Sequence, residues 1–84
     1  MSDVLTEVKK GSVVVFTYTN YRGEKANRKA IVKGLFWGTS LYHKGPQLFM
    51  RGLDLDKMQY RDYAACDVEN LIVVEYICDW EYED

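Results

Sequence analysis

Asn20-Tyr21-Arg22-Gly23-Glu24 separates two runs that are rich in β-branched and aromatic residues. Before it stand Val13, Val14, Val15, Phe16, Thr17, Tyr18 and Thr19, and after it comes a second such run over residues 25–37. Side chains of this kind suit a pleated surface, Asn20 favours a turn, and Gly23 supplies the backbone freedom of a tight hairpin. The pentapeptide therefore reads as a hairpin tip. Further on, Gln47-Leu48-Phe49-Met50-Arg51-Gly52-Leu53-Asp54 reads as a third strand that runs into a turn at Asp54-Leu55-Asp56-Lys57.

Working outward, Gly34 marks a bend in the second strand, where a small sheet must curve. Residues 38–46 form a longer loop with the only proline. Residues 59–63 read as a fourth strand, 64–67 as one helical turn, and 70–77 as a fifth strand. At the N-terminus, Ser2 and Asp3 cap a short helix over Val4-Leu5-Thr6-Glu7-Val8, with Lys9 and Lys10 in its last turn and Gly11 just beyond. Such a helix is marginal alone, so Val4, Leu5 and Val8 are expected to plug one end of a small barrel. The fold class predicted is mainly β: a small closed barrel of five strands with a short N-terminal helix, closure leaving no edge exposed. Residues 1–78 make its single domain, and 79–84 an acidic tail.

Composition agrees with this. Eighty-four residues, 48% hydrophobic and 29% charged, suit one globular domain with a modest core. No apolar run approaches the roughly 20 residues that span a bilayer, and no apolar stretch opens the chain as a secretory signal does, so a cytoplasmic protein without membrane partners is expected. Cys66 and Cys78 lack a CxxC spacing or a His/Cys cluster; they read as free thiols, with a disulfide or metal site as the alternative. Residues 1–64 carry all 11 Lys and Arg against 6 acids, whereas 65–84 carry 7 acids and no base. The basic body favours an anionic ligand, and the acidic end opposes general adhesion to polyanions.

The segment Phe16-Thr17-Tyr18-Thr19-Asn20-Tyr21-Arg22-Gly23-Glu24, with Arg28, Arg51, Leu53-Asp54-Leu55-Asp56-Lys57, Arg61-Asp62-Tyr63-Ala64 and Asp67-Val68, resembles the WYL domain family. Phe36-Trp37-Gly38, Tyr42-His43, Pro46-Gln47 and Arg61-Asp62 look like small single-domain WYL-like proteins of bacteria and phages. The three residues that name the family are here Leu48-Phe49-Met50, a departure that keeps apolar bulk and loses a hydrogen-bonding tip. The resemblance implies an Sm-like or SH3-like barrel that binds nucleotides or single-stranded nucleic acid, here without a DNA-reading helix.

The candidate ligand-binding residues are Arg51, Arg61, His43, Trp37, Tyr42, Gln47, Tyr18 and Arg28. Alternation places Phe49, Arg51 and Leu53 on one face and Leu48, Met50 and Gly52 on the core face. Arg51 and Arg61 converge as an anion clamp, or each pairs with a neighbouring aspartate. His43 holds its loop or touches a base. Trp37, Tyr18, Tyr21 and Tyr42 are core residues or stacking platforms. Lys25, Arg28, Lys29 and Lys33 make a basic run or protect an edge. No nucleophile–base pair, phosphate-cradling loop or metal set is present, so no enzyme and no cofactor are expected. Two functions compete. One is a non-enzymatic module for a nucleotide or short single strand. The other is a protein-interaction module using the barrel and the aromatic-acidic tail, with self-association through Leu71-Ile72-Val73-Val74 as a further option.

Overall fold

The computed structural model describes residues 8–39 and 45–77. Five strands form one antiparallel sheet: β1 (Ser12–Thr19), β2 (Lys25–Gly38), β3 (Gln47–Asp54), β4 (Gln59–Ala64) and β5 (Val68–Tyr76). Their order is β4-β3-β2-β1-β5, with a single 3₁₀ turn, Ala65–Asp67, carrying the chain from one edge to the other. Among the described residues no helix is long and apolar enough to cross a membrane.

The sheet curls through β2. Residues 25–31 pair with β1 and residues 30–38 with β3, and the register shifts between Val32 and Gly34, where the bend was expected. β5 is irregular twice along its pairing with β1, and Asn70 there takes a positive φ of 56°. How far the sheet curls follows from a length. β4 lies three strands from β1, about 14 Å in a flat sheet. Yet the Tyr63 ring of β4 lies 5.0 Å from the Phe16 ring and 5.0 Å from the Tyr18 ring, both on β1. The Ala64 N–H also donates to the Tyr18 hydroxyl at 3.1 Å. Only a sheet folded over its own concave face brings these groups together.

That concave face holds the core: Val14, Phe16, Ala30, Val32, Met50, Tyr63, Val68 and Leu71, one or more from every strand, with Val8 packed alongside. Burial of each larger side chain among them, such as Phe16 or Met50, contributes about 1.5–3 kcal/mol before entropy is subtracted. Gly52 lies among them, and a Cβ there would come 3.0 Å from the Ile31 carbonyl oxygen, so β2 and β3 approach closely at that point. On the convex face Phe49 is buried as well, stacked on Phe36 at 5.4 Å.

Two expectations need correction. The barrel is not closed, because β4 and β5 form the two ends of the hydrogen-bonded order. Among the described residues no ladder joins β4 to β5; the end of β4 is tied instead to β1, where the Tyr18 hydroxyl accepts the Ala64 N–H. The N-terminal helix expected over Val4-Leu5-Thr6-Glu7-Val8 begins outside the described residues, but its proposed last turn, at Lys9 and Lys10, is not helical. The Ser12 N–H donates to the Lys9 carbonyl at 3.0 Å and the Gly11 N–H to Val32 at 2.9 Å, a turn that leads directly into β1. Val8 does pack onto the core, as expected; the acidic tail over 79–84 lies outside the described residues.

Candidate functional site

A cleft of about 580 Å³ opens between the β1–β2 hairpin and β4. Tyr18, Asn20 and Tyr21 come from the hairpin, Arg28 from β2, and Arg61 and Tyr63 from β4. Each is placed by local rules. The Asn20 carboxamide accepts the N–H groups of Arg22 and Glu24, both at 2.9 Å, and so shapes the hairpin tip. Arg28 stands opposite Phe16, a core residue, so it points to the concave side. On β4, Arg61 and Tyr63 are two residues apart and share that face.

Beneath the cleft lies Asp54, fully buried. One carboxylate oxygen accepts the Asp56 and Lys57 N–H groups at 2.9 and 3.2 Å, closing the β3–β4 turn. The other accepts the Tyr63 hydroxyl at 3.0 Å and lies 3.9 Å from an Arg28 nitrogen. Desolvation pushes the Asp54 carboxyl up, but the Tyr63 hydroxyl, the two N–H groups and the Arg28 charge together outweigh it, and its pKa falls below the usual range. Desolvation, followed by the bond to Asp54, pushes the Tyr63 phenol well up. Tyr18 is also raised, mainly by burial. Both phenols therefore remain protonated at neutral pH, able to donate.

The expected arginine clamp does not form. Arg51 stands opposite Asp62, and Arg61 opposite Gly52, so the two arginines lie on opposite faces of the β3–β4 hairpin. Arg51 makes two parallel hydrogen bonds to Asp62, at 2.6 and 2.9 Å, and its guanidinium lies 4.7 Å above the Phe36 ring. It takes the alternative of an aspartate-paired surface arginine. Arg61 instead donates to Gln59 at 3.2 Å, and it forms no ion pair among the described residues. The structure thus brings three of the candidates together: Tyr18, Arg28 and Arg61.

The others lie elsewhere. Trp37 and Gln47 sit at the far end of β2 and the start of β3, with Gln47 opposite Gly38. From Arg28 to Trp37 is about 30 Å along the strand, and neither Trp37 nor Gln47 lines the cleft. Trp37 is 72% exposed, and Gln47 accepts the Cys66 thiol at 3.0 Å. Burial first, then the Asp67 charge, pushes that thiol's pKa up, the reverse of a reactive cysteine. Tyr42 and His43 lie outside the described residues. Of the basic run, Lys25 pairs with Glu69 at 3.1 Å and Lys33 lies 5.5 Å from the Tyr60 ring.

Sequence reasoning missed the burial of Asp54, which reads there as a turn residue and as a candidate partner of Arg51 or Arg61. The available signal was its spacing: an aspartate that ends a strand two and three residues before the N–H groups of Asp56 and Lys57 can cap that turn from inside. Comparison with known families, curated proteins and solved structures finds no match for this chain.

Proposed function

We propose that this chain is a non-enzymatic binding module whose cleft takes an anionic, base-bearing ligand, a nucleotide or a short single strand, in a regulatory or sequestering role. The observation that carries the reading is the pairing of two guanidiniums, Arg28 and Arg61, with tyrosine rings in one cleft. Each guanidinium has five N–H donors in a planar fork; Arg61 uses one on Gln59, and the Arg28–Asp54 distance of 3.9 Å is beyond hydrogen-bonding range. Tyr21, 61% exposed at the hairpin tip, carries the Arg22 guanidinium 5.5 Å from its ring centroid, and a base can stack against that pair. The resemblance to WYL domains supports the same ligand class by analogy, and a curled five-stranded sheet is compatible with an Sm-like or SH3-like relative. A cytoplasmic setting is part of this reading.

A second reading rests on β5. Ile72, Val73, Val74 and Tyr76 are about half exposed on an edge strand that carries only acidic charges, Glu69 and Glu75. Such an edge suits a protein partner or a second copy of the chain. Calorimetric titration with mononucleotides and short oligonucleotides decides between the two. Binding that is lost in Arg28→Ala and Arg61→Ala, and kept when residues 79–84 are deleted, is the expected result. No heat in any titration ends the ligand reading.

A further inference from the structure

Asp54 lines no part of the cleft, but Arg28 and Tyr63, which do, stand directly in front of it. It is ionised on geometric grounds. Both its oxygens receive donors, two N–H groups on one and the Tyr63 hydroxyl on the other, and an arginine lies 3.9 Å away. Because the carboxylate is fully buried, solvent ions screen it poorly. Among the residues that line the cleft the cations are Arg28 and Arg61, with Asp54 behind them. At its lip Arg22, which donates to the Tyr21 hydroxyl at 3.2 Å, is offset by Glu24, which accepts from the Asn20 carboxamide at 3.1 Å. Asp62 at the rim is neutralised by Arg51.

Extending the ligand reading above, we propose that Asp54 sets the charge class of the ligand, making the cleft select a singly charged phosphodiester over a doubly charged terminal phosphate. A phosphomonoester carries about −1.5 to −2 at neutral pH; a diester carries one charge. Attraction to the cleft grows linearly with ligand charge, while the cost of removing the ligand from water grows with its square. A net charge of one is matched by one. The second charge of a monoester finds no counterpart while Asp54 is ionised behind Arg28.

The test uses each of the four 5′-mononucleotides and its phosphate methyl ester, probes that differ by one charge. In the wild-type chain the ester binds about tenfold more tightly than the monoester. In Asp54→Asn, which keeps a carbonyl oxygen for the turn N–H groups, the monoester gains and the ratio narrows to within about threefold. A second measurement needs no variant. Lowering the pH from about 8 to about 5 carries the monoester towards a single charge, so its affinity climbs towards that of the ester, whose own charge is constant and controls for titration of the protein. A wild-type monoester that binds as tightly as its ester, or a ratio unchanged in folded Asp54→Asn, overturns the role of Asp54 alone. If none of the eight probes binds, the cleft reading falls and this inference with it.

Discussion

Arg51 and Arg61 stand on neighbouring strands of one hairpin and have opposite circumstances. On the convex face Arg51 is held by two bonds to Asp62 and a ring beneath it. On the concave face Arg61 has one bond to a neutral glutamine and looks into a cleft beside Arg28. The first arginine has been used to fasten two strands, whereas the second retains donors for something else. Charge on a surface is thus a poor guide to a binding site; what matters is whether a partner already occupies its donors.

The comparison breaks most visibly at Asp54. Asp54→Ala should cost about 3 kcal/mol in urea denaturation, since it orphans the Tyr63 hydroxyl, two N–H groups and the Arg28 charge. The folded carboxyl is held below its unfolded value, so its contribution is present above about pH 4 and is lost as pH falls through the lower folded pKa. Wild-type stability should therefore decline with acid more steeply than that of Asp54→Asn. A wild-type profile parallel to the variant's would remove Asp54 from its supporting role.

Next in size is Arg28→Ala, expected to weaken nucleotide binding by about 2 kcal/mol, the range of one charge-assisted contact. Equal losses from Arg28→Ala and Arg51→Ala would erase the distinction between the faces. Gly52→Ala should cost about 1–2 kcal/mol, because its Cβ meets the Ile31 backbone, while Gly34→Ala, with open space around it, should change the midpoint little. Smallest is Arg51→Ala: about 0.5–1 kcal/mol of stability from an exposed pair, with ligand affinity unchanged in the same calorimetric titration.

Much of the sheet was legible. Residues 47–54 and the bend at Gly34 were read as they stand, because alternating apolar side chains and a glycine carry that information locally. The convergence of Arg51 with Arg61 was misread for one residue of register. Arg51 faces Asp62 because Asp54 pairs with Gln59; a turn one residue different in length would oppose the two arginines directly. The turn closes on Met58, at a positive φ of 53°, where neither glycine nor asparagine announces the conformation. Closure was misjudged for a related reason. Whether the last strand meets the fourth depends on tertiary approach, and nothing in residues 59–77 encodes it locally. The burial of Asp54 was not legible because a carboxylate in a turn is ordinarily solvated.

The double service of β2 has a mechanical consequence. Within β2, only Ala30 and Ile31 have strand partners on both sides, Val14 and Val13 in one direction and Asp54 and Leu53 in the other. Around that overlap the two halves of the sheet are fastened again, by the Leu55 N–H to the Lys29 carbonyl at 2.9 Å, the Gly11 N–H to the Val32 carbonyl at 2.9 Å and the Ala64 N–H to the Tyr18 hydroxyl at 3.1 Å. Arg28 stands on one half and Arg61 on the other. The two guanidiniums are therefore held by halves that the fold itself has already fastened together.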